Sequence, residues 1–146
     1  MKKLLFVLIT VFAAGTVSAQ ELGIRFGGIS GGTGAAIDAV FGLNGSRIHA
    51  DLGFYSDAVG IDFLWDVIYK PLGGEAFDWY LGVGPTAIIG DIFRLGAAGE
   101  IGLEYGFNSV PIVIGADWRP TFWIIDETGF GADSFGLNVR WRFGSY

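Results

Sequence analysis

The chain has 146 residues, no cysteine, a mean hydropathy of +0.50, and nine basic residues against fifteen acidic ones, for a formal net charge of −6. The acidic balance argues against nucleic acid as a partner, and the lack of cysteine excludes disulfides, thiol chemistry and lipid attachment through a thiol. Hydrophobic residues make up 51% of the chain, yet beyond the first nineteen no run approaches the roughly 20 apolar residues of a spanning helix, which excludes helical membrane insertion.

Met1-Lys2-Lys3 is basic, Leu4 to Gly15 is apolar, and Val17-Ser18-Ala19 places small residues at the positions a secretory peptidase reads. Residues 1–19 are therefore expected to be a signal peptide, with 20–146 as one mature domain beginning at Gln20. An anchor reading fails because the apolar run is too short to span. Taking nineteen residues from 146 leaves 127, with seven basic residues facing fifteen acidic ones once Lys2 and Lys3 are gone, a net charge of −8. High hydrophobicity without a long apolar run points to transmembrane β-strands, in which alternation dilutes the apolar residues.

Eight strands follow in order. Glu21 to Ile29 sets Leu22, Ile24 and Phe26 against Gly23, Arg25 and Gly27. Ser30 to Gly34 turns the chain, and Ala35 to Leu43 returns with Ile37, Ala39 and Phe41 opposite Asp38. Asn44-Gly45 suits a two-residue hairpin because both residues tolerate positive φ. Arg47 to Tyr55 follows, then a Ser56-Asp57 turn and Ala58 to Lys70, where Val59, Ile61, Phe63, Trp65, Val67 and Tyr69 face away from Gly60, Asp62 and Asp66. After a turn over Pro71 to Ala76, Phe77 to Ile89 places Trp79, Leu81 and Val83 opposite Asp78, Tyr80, Gly82 and Gly84. Past Gly90-Asp91, Ile92 to Tyr105 alternates Phe93, Leu95, Ala97, Ile101, Leu103 and Tyr105 with Arg94, Gly96, Ala98, Glu100, Gly102 and Glu104. Val110 to Pro120 follows, then the longest loop, Thr121 to Ser134. In the last strand Phe135, Leu137, Val139, Trp141 and Phe143 share one parity and Gly136, Asn138, Arg140 and Arg142 the other.

An even number of strands with short connections closes as an antiparallel up-and-down barrel. Two orientations are open: apolar face to lipid, or, as in a soluble lipocalin-like ligand-binding barrel, apolar face inward. The polar parity is rich in glycine and alanine, its long side chains are nearly all charged, and Lys70 is the only lysine after residue 19. Arginine is the base suited to enclosed ion pairs. Starting the first strand on the inner side of the membrane places Phe41, Tyr69, Trp79, Tyr105, Trp141 and Phe143 near one rim. Phe26, Phe54, Phe93, Trp118, Phe122, Trp123 and Phe135 then fall near the other. Trp65 falls between, but two aromatic levels are what interfacial girdles require. The expected fold is an eight-stranded transmembrane β-barrel.

With its leader, its eight alternating strands and its last strand of Phe135, Leu137, Val139, Trp141 and Phe143, the chain resembles the small outer-membrane barrels of the OmpA/OmpX kind. The Arg140-Trp141-Arg142-Phe143 ending is similar to many Bacteroidetes members. The resemblance implies an integral outer-membrane location, contact with outer-membrane lipids and lipopolysaccharide, and recognition of the last strand by the barrel-assembly machinery. Gly144-Ser145-Tyr146 follow Phe143, so either Phe143 ends the signal or recognition accepts a short tail.

A barrel of eight strands is just wide enough for side chains to fill it, so enclosed charges must pair. A two-residue Ser56-Asp57 turn sets Arg47 against Asp66 and Asp51 against Asp62, and the second, like-charged pair calls for an arginine from another strand. Glu21 meets Arg142 across the closing seam. The expected lumen network joins Arg25, Arg47, Arg94, Arg119, Arg140 and Arg142 with Asp38, Asp51, Asp62, Asp66, Glu100, Glu104 and Asp117. His49, near Asp51 and Asp62, reads either as a proton-transfer group or as a hydrogen-bonded lumen histidine.

Lipid-A- or phospholipid-modifying enzymes also use such barrels, but they need a nucleophile or base at the outer rim with a supporting residue. Ser30, Ser56 and Ser134 lie in outer turns without a histidine, so no catalytic residue is named. Gly23, Gly27 and Gly28 precede no helix and form no phosphate cradle. The acidic outer residues Asp57, Asp91, Asp126, Glu127 and Asp133 read either as a rim bridged to lipopolysaccharide by divalent cations or as solvated turns; Asp126, Glu127 and Asp133 lack calcium-loop spacing, and no metal site or cofactor is expected. The expected role is non-enzymatic: envelope integrity, surface contact or partnership in a larger envelope complex. Thr121 to Ser134 is the contact element, lid or strand extension.

Overall fold

Period-two alternation becomes an inside and an outside once the strands close on themselves. The computed structural model describes residues 2, 3, 6, 20–29, 32–43, 46–55, 57–73, 76–125, 128–132 and 134–143. The rest of the expected leader, Ser30, Asn44-Gly45, Ser56, Asp126, Glu127, Asp133 and Gly144-Ser145-Tyr146 lie outside them. The strands are β1 Glu21–Ile29, β2 Gly32–Leu43, β3 Ser46–Phe54, β4 Ala58–Pro71, β5 Phe77–Gly90, β6 Phe93–Gly106, β7 Ile112–Trp118, β8 Thr121–Ile125, β9 Gly129–Gly131 and β10 Phe135–Arg142.

Each strand pairs antiparallel with its chain neighbour from β1 to β7, and β10 closes the ring by pairing with both β7 and β1. Closure removes every free edge from the wall. At the seam Glu21 lies opposite Arg142, and the adjacent backbone continues the ladder, with Phe143 N–H donating to Gln20 O at 2.7 Å. Eight strand positions form the wall because β7 and β8 share one register against β6: Ile101 faces Trp118 and Ala98 faces Thr121. Pro120, which has no N–H to donate, falls at the break between them, while its carbonyl still accepts from Gly99 N–H at 2.9 Å.

Much of the expected Thr121 to Ser134 loop is thus structured. β8 prolongs the seventh wall strand, and β9 folds back on it, pairing Phe122 with Phe130. Trp118 ties the hairpin's return to the wall through Nε1–H donating to Ala132 O at 2.7 Å, and stacks on Phe135.

β10 settles the orientation of the faces. Phe135, Leu137, Val139 and Trp141 are 48–65% exposed, whereas Asn138 and Arg140 are each 1% exposed. The apolar parity is outside and the polar parity inside. Apolar side chains inside the barrel include Ala36, Val40, Leu64, Ala98 and Val113. Glycine on the inner face makes room for large neighbours: a Cβ on Gly102 would strike the Tyr80 ring, and one on Gly136 would strike the Arg25 guanidinium.

One strand departs from its expected alternation. Asp66 pairs with Gly82 but Ile68 with Leu81, so Val67 is an extra residue in β4 and the register slips by one. A bulge of this kind flips the faces beyond it. Tyr69, expected among the outward aromatics of one rim, therefore turns inward.

Candidate functional site: the enclosed ion network

The inward faces of seven wall strands, with Arg119 just beyond the end of β7, bring together four buried arginines and eight buried carboxylates. The arginines are Arg25, Arg47, Arg119 and Arg140; the acids are Glu21, Asp38, Asp51, Asp62, Asp66, Glu100, Glu104 and Asp117. Shared partners make them one connected system.

Arg140 on β10 is the hub nearest the Gln20 end. Its Nε donates to Glu21 Oε2 at 2.6 Å, Nη1 to Asp38 Oδ2 at 3.0 Å and Asn138 Oδ1 at 2.8 Å, and Nη2 to Glu104 Oε2. Glu21 also accepts from Arg142 Nε at 2.9 Å, and Arg142, about one third exposed, marks the rim. Glu104 in turn is held by both Nη atoms of Arg47, at 2.8 and 2.7 Å, a fork geometry that only a planar guanidinium offers. Arg47 lies over the rings of Tyr69 and Tyr80, at 4.3 and 4.9 Å from their centroids. The inward turn of Tyr69 brings its hydroxyl, with one hydrogen to donate, to 2.9 Å from Glu104 Oε1 and 3.1 Å from Asp78 Oδ2.

Arg119 is the hub of the other half. The strand register places Asp51 opposite Asp62, two like charges that would repel. Arg119 Nη1 donates to Asp51 Oδ2 at 2.6 Å and to Asp62 Oδ2 at 3.1 Å, and its Nε donates to Glu100 Oε2 at 3.1 Å. Thr86 Oγ1 donates to the remaining Asp62 oxygen. Arg119 owes its reach to its place in the break between β7 and β8. Towards the β8–β9 pole, Arg25 grips Asp117, with Nε to Oδ2 at 3.1 Å, and donates to Gly28 O through Nη1.

His49 joins the two halves. Its Nε2 lies 3.1 Å from Asp38 Oδ1 and its Nδ1 lies 3.2 Å from Glu100 Oε1. It is fully buried, in contact with Asp38 and Glu100 rather than with Asp51 and Asp62 as expected.

Among the described residues Arg94 makes none of the ion pairs of the network. It is half-buried, and its guanidinium sits over the Trp123 ring at 4.4 Å from the centroid. Trp123, expected among the rim aromatics, has the inward parity of β8 and is 5% exposed, while Phe122 beside it points out. Arginine and tryptophan together fill the barrel mouth at that pole, where a weakly hydrated cation gains from a ring face. Alternation put Tyr80 and Asn138 on the inward parity, whereas Tyr69, Thr86 and Trp123 are members of the interior that it did not assign. For Tyr69 a signal was present: Ile68, an apolar residue at an expected inward position, follows Asp66 and betrays the slipped parity.

Of the outer acidic residues, Asp57 and Asp91 are exposed in turns. Ser134 is engaged locally, its Oγ donating to Gly28 O at 2.8 Å. Comparison with known proteins returned no matching family model, no matching curated relative and no matching solved structure.

Proposed function

We propose that the chain is a non-enzymatic integral protein of a bacterial outer membrane, exported by a cleaved leader over residues 1–19 and similar in kind to the small OmpA/OmpX barrels. The observation that carries this reading is the inverted distribution of polarity. Arginine and carboxylate side chains are sealed inside, and Ile24, Phe63, Trp65, Val83, Leu103, Leu137 and Val139 are about 40–65% exposed on the wall. In water, exposed apolar surface of this kind would cost roughly 25 cal/mol per Å² and drive association. In hydrocarbon it is the ordinary face of a transmembrane strand.

A soluble lipocalin-like barrel would need the opposite arrangement, with an apolar interior open to a ligand. A lipid-modifying enzyme would need a nucleophile or base that a lipid can reach, whereas His49 is fully enclosed. The side-chain-filled lumen favours a structural or interaction role over conduction. Outer-membrane lipids and lipopolysaccharide would surround the wall, and an envelope protein partner would meet the protruding β8–β9 hairpin, where Phe122, Ile124 and Phe130 are exposed. Phe135, Leu137, Val139, Trp141 and Phe143 would present the strand that the assembly machinery reads.

The test is fractionation of cells expressing the full chain, followed by gel migration with and without boiling. Recovery in the outer membrane and a heat-dependent mobility shift are expected. Recovery as a soluble periplasmic protein with heat-independent migration would overturn the reading.

A further inference from the structure

The interior holds more negative charge than its arginines neutralise. Eight buried carboxylates face four buried arginines, and Arg142 at the rim brings the positive count to five. A surplus of buried charge is costly unless a proton or a cation joins it. The place where one is missing can be located from the hydrogen bonds.

Arg140 Nη1 has two hydrogens, and Asp38 Oδ2 and Asn138 Oδ1 take them. Its 3.2 Å approach to His49 Nε2 is therefore a packing contact. Nε2 lies 3.1 Å from Asp38 Oδ1, and Nδ1 faces two acids: Glu100 Oε1 at 3.2 Å, with which it is hydrogen-bonded, and Asp66 Oδ2 at 3.9 Å. An imidazole nitrogen and two carboxylates thus converge, and the Asp66 carboxylate among them has no donor. Asp66 is 4% exposed, and neither of its oxygens accepts a hydrogen bond; Arg47 Nε, 3.0 Å from Oδ2, lies off the line a bond requires. Glu100 divides its oxygens, with Oε2 given to Arg119 and Oε1 turned to His49.

We propose that His49 Nδ1, an Asp66 oxygen and Glu100 Oε1 form a buried binding site for a divalent transition-metal ion of the zinc class. The three ligand atoms lie within 4.8 Å of one another. Ligands about 2.0–2.2 Å from a tetrahedral ion stand roughly 3.3–3.5 Å apart, so the 3.2 and 3.9 Å separations need only small side-chain shifts to close on one. A mixed nitrogen and oxygen set suits zinc or cobalt rather than calcium or magnesium. The Asp38 carboxylate behind Nε2 supplies the outer partner that fixes the tautomer and ring orientation of a metal-bound histidine. Gly82 keeps the space open, since a Cβ there would come within 2.6 Å of Asp66 Oδ1 and 2.9 Å of Glu100 Oε1. The ion would join β3, β4 and β6, giving it a structural role. The site stands on the geometry of the interior and does not depend on the compartment in which the barrel resides.

The test uses the full chain folded in detergent micelles with equimolar Zn²⁺ or Co²⁺, then freed of loose metal by dialysis. About one zinc per chain should be retained by elemental mass spectrometry, and the cobalt form should show the intense visible bands of a low-symmetry, near-tetrahedral ion. Asp66→Asn and Glu100→Gln should lose the metal while Asp57→Asn, in an exposed turn, keeps it. If the first two variants fail to fold, the imidazole nitrogen resonances of the wild type decide, since zinc must shift Nδ1 and leave Nε2 protonated. Retention at background level by the folded wild type, or an unmoved Nδ1 resonance, would overturn the proposal.

Discussion

Arg119 reaches Asp51 from 68 residues further along the chain and donates to it at 2.6 Å, standing between Asp51 and the Asp62 that the strand register places opposite it. One guanidinium thus allows two like charges to be buried side by side. Removing one partner of a buried ionic group strands the others, which costs about 3–5 kcal/mol. Arg119→Met should destabilise the barrel by that amount in urea titrations in micelles. Adding Asp51→Asn should recover part of the loss, because one stranded charge is gone. Strict additivity of the two changes would show that the contact carries no coupling.

The inward turn of Tyr69 can be read from a single atom. Tyr69→Phe keeps the ring under Arg47 but removes the hydroxyl that lies within hydrogen-bond reach of Glu104 and Asp78. A hydrogen bond to a charged group contributes about 1.5–3 kcal/mol, and the half-buried position of Tyr69 puts the expected loss at the low end. An unchanged unfolding midpoint would place the ring on the outer face instead, with no bulge at Val67.

Gly136 and Arg25 compete for the same space, since a Cβ on Gly136 would meet the guanidinium that holds Asp117. Gly136→Ala should therefore cost on the order of 1–3 kcal/mol by overpacking. The same substitution in an Arg25→Ala background should cost much less. Equal costs in both backgrounds would contradict the close approach.

Val139 lies in the middle of β10 on the outward face. Arginine there should cost about 2–4 kcal/mol in a bilayer, as charges do at the midplane of a lipid-facing strand. An exposed site in water would tolerate it with almost no loss. Unfolding of Val139→Arg in lipid vesicles distinguishes the two.

How far the sequence was readable differs between wall and interior. Alternation in Phe135 to Phe143 and Ala58 to Asp66 marks strands and faces because period two is a local property. A two-residue connection between Tyr55 and Ala58 carries the register far enough to oppose Arg47 and Asp66. The bulge at Val67 breaks that logic, since one extra residue reverses every side chain after it. Arg119 and Asp51 meet across the lumen, and Arg25 reaches Asp117 over the intervening β10, so neither pair lies on adjacent strands. Their meeting depends on the stagger of the closed barrel, which no local pattern encodes. The contact of Arg94 with Trp123 was hidden for a related reason: Trp123 lies beyond Pro120, in a stretch that looked like a loop.

Fluorescence quenching by lipids with brominated acyl chains tests the central claim most directly. Trp65 is 51% exposed on the outer wall, whereas Trp123 is 5% exposed and faces inward. In single-tryptophan variants folded into such vesicles, Trp65 should be strongly quenched and Trp123 hardly at all. Equal quenching of both, or none at Trp65, would contradict a barrel that shows its apolar side chains to lipid and keeps its charges inside.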